Sequence, residues 1–169
     1  MHKIFALVGP SGAGKTRLIL ECIKRLGGEI ASLPCFTTRP RRGPDDDPFY
    51  VFVSEEEIRR QEVFATFEYG GYLYASTHRV PRAILSDRPA ICALTEQGVL
   101  NHRGAGYEVI TIHVIPSGEW DARSLERARA DTAREGSIPY DHQIVNNFAP
   151  GGFEQAIRQL IEIISIPIP

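Results

Sequence analysis

The sequence predicts a three-layer α/β fold, in which helices cover both faces of a central parallel sheet and a small β-rich subdomain is attached. Short apolar runs alternate with amphipathic stretches of helical length along the 169 residues, a pattern typical of βαβ units. A glycine-rich loop joins the first apolar run to the first amphipathic stretch. No internal repeat or Gly/Ser-rich linker divides the chain, so we expect one domain over residues 1–169.

The N-terminal part supplies the first strand and the first helix. Residues 4–8 are all apolar, which predicts a fully buried strand. Residues 15–26 carry apolar side chains at helical spacing, and Gly27 with Gly28 ends that helix. A second strand is expected over residues 29–36.

The middle of the chain is predicted to be rich in strands. Strands are expected over residues 50–53, 63–69 and 72–75, and Gly70-Gly71 turns the second into the third. Between them, Ser54 followed three residues later by Glu57 is typical of a capping box. We assign residues 35–79, approximately, to a substrate-binding subdomain, and residues 1–34 and 80–169 to the core.

The rest of the chain returns to alternating helices and strands. The expected helices cover 80–85, a short stretch from Glu96, 119–135 and 153–164, and the expected strands cover 90–94, 108–115 and 142–146.

Composition excludes several classes of function. The net charge is −2, whereas a general nucleic-acid binder usually has a basic bias. No apolar stretch approaches the length needed to span a bilayer, and the apolar run near the N-terminus is too short for a signal sequence. The three cysteines match no zinc or disulfide pattern. We therefore expect a cytoplasmic protein that binds neither nucleic acid nor membrane.

Residues 9–16, GPSGAGKT, match the phosphate-binding loop G-x-x-x-x-G-K-[ST]. Glycines let backbone N–H groups converge on phosphate oxygens, and the following helix adds the positive end of its dipole. Lys15 would reach the β- and γ-phosphates of ATP, and the Thr16 hydroxyl would hold Mg²⁺. The predicted ATP-binding residues in this loop are Gly9, Ser11, Gly12, Ala13, Gly14, Lys15 and Thr16.

A second phosphate-binding segment is predicted after the second strand. Arg39, Arg41 and Arg42 lie close together in the chain, and Tyr50 follows them. Guanidinium groups bind phosphate in a bidentate way, and a tyrosine hydroxyl can add a hydrogen bond. This segment therefore indicates where a phosphate acceptor binds.

These segments together resemble the guanylate kinase family of ATP-dependent nucleoside monophosphate kinases. GPSGAGKT is similar to its phosphate-binding loop, TTRPRRG…FYVFV to its substrate loop, and GGYLYAST to its G-N-Y-Y-G-S/T segment. The resemblance implies that the acceptor's phosphate is bound by Arg39, Arg41, Tyr50 and Tyr74. It also implies that Ser76 contacts the substrate, that Lys15 is catalytic and that Asn146 lies on the nucleotide side.

The chain departs from this family at the residues that recognise guanine. The family has a Ser, a Glu and an Asp where an ungapped alignment places Cys35, Ala65 and Thr95. Glu68 lies nearby, but its odd offset from Ala65 predicts that it faces the other side of the strand. Glu96 is a further nearby carboxylate. We thus expect this chain to bind the acceptor's phosphate as the family does and to differ from the family in recognition of the base.

The segment that closes over the transferring phosphoryl group in the family is shorter here and lacks its Arg-Gly pair. Arg123 and Arg127, spaced i, i+4 on one helix face, are catalytic candidates, and a solvated helix face is the alternative. Three functions stay open: a guanylate kinase-like enzyme, a kinase of another phosphate acceptor such as ribose 1,5-bisphosphate, and a non-catalytic binding module.

Overall fold

The computed structural model describes residues 2–118 and 137–166. Within these ranges, five parallel strands form the central sheet in the order β2-β7-β1-β8-β9. Their bounds are Ile4–Val8 (β1), Ala31–Ser32 (β2), Ala90–Ala93 (β7), Val109–Ser117 (β8) and His142–Asn147 (β9). Since the strands are parallel, their carboxyl ends share one edge of the sheet.

Helices lie on both faces of this sheet. The described helices are Lys15–Leu26 (α1), Glu55–Arg59 (α2), Arg79–Leu85 (α3), Glu96–Gly104 (α4) and Gly152–Ser165 (α5). Alternate side chains of β1 enter two cores: Phe5 and Leu7 pack with α1 and α5, whereas Ile4 packs with residues of α3 and α4. The three-layer α/β prediction is therefore confirmed.

A second, four-stranded sheet takes its strands from residues 35–77. It contains Cys35–Thr37 (β3), Tyr50–Phe52 (β4), Val63–Tyr69 (β5) and Tyr72–Thr77 (β6), in the order β4-β3-β6-β5. β3 pairs with β4 in parallel and with β6 antiparallel. The predicted capping box is present, because Ser54 and Glu57 exchange hydrogen bonds at the start of α2.

The single strand expected over 29–36 is wrong. Residues 27–29 form a 3₁₀ turn, β2 joins the central sheet and β3 joins the second sheet. The change occurs at Pro34, which has no N–H to donate to a ladder. Leu33 still donates to Ile91 O of the central sheet at 3.0 Å, whereas Cys35 donates to Phe49 O at 3.1 Å.

The other predicted elements within the described residues agree with the structure to within a few positions. β1, α1 and β5 have the expected bounds, and β8 and β6 run two residues further than expected. The helix expected over 119–135 lies outside the described residues. Across residues 2–118 and 137–166, no helix has both the length and the apolar character that crossing a bilayer requires.

Candidate functional site

The phosphate-binding loop occupies the carboxyl end of β1 and leads into α1. Gly9, Gly12 and Gly14 have φ angles of 148°, 82° and 87°, which L side chains rarely adopt. A Cβ at Gly9 would lie 2.5 Å from the carbonyl oxygen of Val114, and one at Gly14 would lie 2.4 Å from Nδ2 of Asn146. The backbone conformation and the close approach of neighbouring groups therefore both require glycine in this loop. We call Gly9, Gly12 and Gly14 with the backbone between them the glycine cradle.

Lys15 is the first residue of α1, and its ammonium group lies across the loop. Its Nζ donates to the carbonyl oxygens of Gly9 at 2.6 Å and Pro10 at 2.8 Å. Thr16, the next residue, is exposed at the same helix end. The loop thus combines a positive side chain, a hydroxyl and the positive end of a helix dipole, which is the arrangement that binds phosphate groups.

Asn146 connects β9 to the loop. The residue is 2% exposed, and its Nδ2 donates to the carbonyl oxygen of Ala13 at 2.8 Å. Its Oδ1 is buried without a hydrogen-bond partner among the described residues. The predicted nucleotide-side asparagine therefore contacts the backbone of the phosphate-binding loop.

Arg39 lies at the centre of the second predicted phosphate site. It follows β3 and is 5% exposed. Its guanidinium lies 4.8 Å from the ring centroid of Tyr50 and 5.9 Å from that of Phe52, and Nη2 is 3.1 Å from Oδ2 of Asp46. This ion pair lowers the pKa of the Asp46 carboxyl, with help from the backbone N–H of Arg42.

Tyr50 and Tyr74 complete this cluster. Their strands flank β3, and their ring centroids lie 6.0 Å apart. Burial raises the pKa of Tyr50 above its usual value, so its hydroxyl stays protonated near neutral pH and can donate a hydrogen bond. The structure thus brings together Arg39, Tyr50 and Tyr74, whereas Arg41 is half-exposed in the same loop and paired with Asp47.

One face of the β5–β6 hairpin includes Tyr74 of this cluster. Ala65 pairs with Ser76, and Phe67 pairs with Tyr74, so these four side chains share a face. The ladder is regular from Ala65 onward, which places Glu68 on the opposite face as predicted. Phe67 is not among the site residues predicted from the sequence. Its side chain is 56% exposed and stacks on Tyr74, with the ring centroids 4.8 Å apart. Its even offset from Ala65 in the sequence predicts that the two side chains share one face of the strand.

Cys35 and Thr95, which the resemblance also assigns to base recognition, lie on different elements. Cys35 begins β3 in register with Tyr50, and burial raises the pKa of its thiol to about 11. Thr95 caps α4, because its Oγ1 accepts a hydrogen bond from the Gly98 N–H at 3.1 Å. A capping role alone is enough to account for the threonine.

Glu96 is a buried carboxylate beside Thr95. It is 9% exposed and accepts hydrogen bonds from the backbone N–H of Ser137 at 3.1 Å, from the Ser137 hydroxyl and from the Tyr140 hydroxyl. These bonds join the carboxyl end of β7 to residues 137–140. Neither Ser137 nor Tyr140 belongs to a recognisable motif, so the sequence offered no signal for them.

Comparison with known proteins decides the family. The guanylate kinase family model matches residues 1–165. The chain belongs to the guanylate kinase family. A guanylate kinase of Thermotoga maritima is 27% identical over 96% of this chain and 86% of its own. A guanylate kinase of Rubrobacter xylanophilus is 30% identical over 96% of this chain and 93% of its own.

The fold agrees with this assignment. A crystal structure of guanylate kinase from Anaplasma phagocytophilum superposes with a TM-score of 0.67 at 22% identity, covering 96% of this chain and 84% of that one. This likeness shows the P-loop fold expected from the sequence. The match to the family model and the curated relatives make this protein a phosphotransferase of the guanylate kinase-like class.

The three positions that the resemblance assigns to recognition of the acceptor's base are occupied by Cys35, Ala65 and Thr95. Their side chains offer a thiol, a methyl group and a helix-capping hydroxyl. A carboxylate at position 65 or 95 would accept hydrogen bonds. The methyl group of Ala65 cannot accept one, and the Thr95 hydroxyl already accepts one from the Gly98 N–H. Arg123 and Arg127, the predicted catalytic arginines, lie outside the described residues.

Proposed function

We propose that this protein transfers the γ-phosphoryl group of ATP to the phosphate of a nucleoside monophosphate, with GMP or dGMP as the acceptor and GDP or dGDP as the product. The observation that carries the proposal is the pairing of a glycine cradle at the end of β1 with a separate cluster of Arg39, Tyr50 and Tyr74. One phosphate site serves the donor and the other serves the acceptor.

The donor site fits ATP with Mg²⁺. The positive φ angles of the glycines shape the loop backbone, Lys15 begins the helix, and the hydroxyl of Thr16, an exposed residue, would hold the metal. Magnesium, when bound, neutralises charge on the β- and γ-phosphates. Lys15 would exchange its carbonyl partners for phosphate oxygens and stabilise the negative charge of the transferring group.

The acceptor site would orient the attacking phosphate oxygen. Arg39 offers a guanidinium held between aromatic rings and a carboxylate, so little side-chain entropy is lost when phosphate binds. Tyr50 and Tyr74 would donate hydrogen bonds to the same phosphate, and Arg41 would add charge from the loop. Phosphoryl transfer needs mainly this positioning and charge neutralisation.

The residues at positions 65 and 95 suggest a second candidate for the phosphate acceptor. Without carboxylates at residues 65 and 95, the site lacks the acceptors that would pair with guanine N1–H and the exocyclic amine. A ribose bisphosphate, such as ribose 1,5-bisphosphate, has no base to recognise and would still use the phosphate cluster. Phe67, exposed and stacked on Tyr74, instead favours an acceptor that carries a flat ring.

An ATP-coupled assay over GMP, dGMP, the other nucleoside monophosphates and ribose 1,5-bisphosphate tests the proposal. We expect turnover with GMP or dGMP, and loss of turnover in Lys15→Ala with an unchanged melting temperature. Turnover with ribose 1,5-bisphosphate alone would support the second candidate. ATP binding without turnover of any acceptor would instead indicate a binding module, and full activity of Lys15→Ala would contradict the donor site.

A further inference from the structure

We infer that Asp46 is an internal competitor for the acceptor's phosphate, so that an acceptor must carry a dianionic phosphate to displace it from Arg39. The inference rests on the proposed function, because it takes Arg39 as the residue that binds the acceptor's phosphate. It adds a specificity determinant that base recognition does not supply.

The surroundings of Arg39 show why a competitor is involved. The guanidinium is 5% exposed and is enclosed by the rings of Tyr50 and Phe52, the Pro40 carbonyl at 3.3 Å and the Asp46 carboxylate at 3.1 Å. A phosphate that binds Arg39 must take the place of one of these groups. Asp46 is the only anion among them, and two anions on one buried guanidinium repel each other.

Asp46 is also the group best able to leave. The rings belong to β4, and Pro40 is covalently joined to Arg39, whereas Asp46 ends the 3₁₀ turn Pro44–Asp46 in the loop between β3 and β4. Its side chain is 21% exposed. It also accepts a hydrogen bond from the backbone N–H of Arg42 at 2.9 Å, so it keeps a partner in the loop after it releases Arg39.

Charge decides which ligand wins this exchange. A buried guanidinium without a counter-ion is costly, so Asp46 stabilises Arg39 until an acceptor arrives. A monoanionic group brings no more charge than the carboxylate that it replaces. A terminal phosphomonoester carries a charge of roughly −1.5 to −2 and three acceptor oxygens. The exchange therefore selects phosphomonoesters over monoanions such as carboxylates and phosphodiesters.

The same loop contains a matched control pair. Arg41 and Asp47 also form an ion pair, but the two side chains are 53% and 52% exposed. Solvent screens such a pair, and its contribution is small. Removing the charge of Asp47 alters the net charge of the loop as much as removing that of Asp46, yet it does not uncover a buried guanidinium.

The test compares Asp46→Asn with Asp47→Asn by isothermal titration with GMP and, separately, with inorganic phosphate. We expect Asp46→Asn to bind both roughly tenfold more tightly than the wild type, the effect of relieving competition for one charge-assisted bond. Asp47→Asn should stay within about twofold of the wild type. Adding Arg39→Gln to Asp46→Asn should abolish the gain, which distinguishes this site from the phosphate-binding loop.

Equal or weaker binding by Asp46→Asn would overturn the inference and make Asp46 a residue that positions Arg39. A gain that persists in the double variant would overturn it as well. Asp46→Ser provides a second variant if Asp46→Asn does not fold. If the wild type phosphorylates no nucleoside monophosphate, the proposed function fails, but the titration with inorganic phosphate still decides the role of Asp46.

Discussion

The side-chain amide of Asn146 donates to the carbonyl oxygen of Ala13 at 2.8 Å, which ties the last strand of the central sheet to the phosphate-binding loop. Ala13 is fully buried and Asn146 is 2% exposed, so water cannot replace this bond. Nδ2 of Asn146 also fills the space where a Cβ at Gly14 would lie. The loop conformation therefore depends on a residue that is distant in sequence.

Replacing Asn146 by Ala should weaken ATP binding and destabilise the fold together. The Ala13 carbonyl would lose its partner, at a cost of about 1–3 kcal/mol. Chemical denaturation and ATP titration measure the two effects, and Gln143→Ala, an exposed position on the same strand, is the control. Weaker ATP binding with unchanged stability would contradict the supporting role and indicate a direct contact with the nucleotide.

Gly9→Ala should destabilise the protein by several kcal/mol and abolish ATP binding. The added Cβ would lie 2.5 Å from the Val114 carbonyl oxygen at a φ of +148°, so both the loop and β8 would have to move. Gly104→Ala is the matched control, because its Cβ meets nothing within 4 Å at the end of α4. The melting temperatures of the two variants test this prediction. Equal melting temperatures would contradict the requirement for glycine at position 9.

If Arg39 binds the acceptor's phosphate as proposed, Arg39→Gln should weaken the binding of every acceptor by a similar factor, because all acceptors share that phosphate. Loss of a charge-assisted hydrogen bond costs about 1.5–3 kcal/mol, or roughly ten- to a hundredfold in KM. Arg41→Gln, at a half-exposed position, should have a smaller effect. Undiminished activity of Arg39→Gln on the best acceptor would contradict the proposal that Arg39 binds the acceptor's phosphate.

Introducing the residues that the resemblance expects at positions 35, 65 and 95 should raise activity with GMP selectively. The triple variant Cys35→Ser, Ala65→Glu and Thr95→Asp supplies the hydrogen-bond acceptors for guanine, and aspartate keeps the cap of α4. Steady-state kinetics over several nucleoside monophosphates should show a lower KM for GMP alone, with ATP affinity unchanged. Equal changes for all acceptors would show that these positions do not line a base pocket.

Acidification should destabilise the protein through His102. Burial lowers the pKa of this residue below 6.5, although a hydrogen bond with the Gly98 carbonyl opposes the shift. The unfolded chain then binds a proton that the folded chain excludes, so stability is full above about pH 6.5 and falls as the pH decreases. Urea denaturation from pH 8 to 5 should show a shallower fall for His102→Gln than for the exposed control His2→Gln. Parallel curves would exclude His102 as the cause.

The sequence by itself determined the elements and motifs that depend on neighbouring residues. The apolar run of β1, the glycines before Lys15 and the capping box of Ser54 and Glu57 each specify local backbone conformation, and the structure has them at the expected positions. The order of motifs also indicated the guanylate kinase family. Strand alternation alone placed Glu68 on the face opposite Ala65.

Only the tertiary structure decided which distant groups meet. The strand break at Pro34 depends on two different sheets offering partners to Leu33 and Cys35. The enclosure of Arg39 by Asp46 and two rings, the support of Ala13 by Asn146 and the stacking of Phe67 on Tyr74 depend on how the loop, β9 and the hairpin pack. Local periodicity fixes which face a side chain occupies, whereas its partner across the fold is fixed by packing between elements that are far apart in the chain.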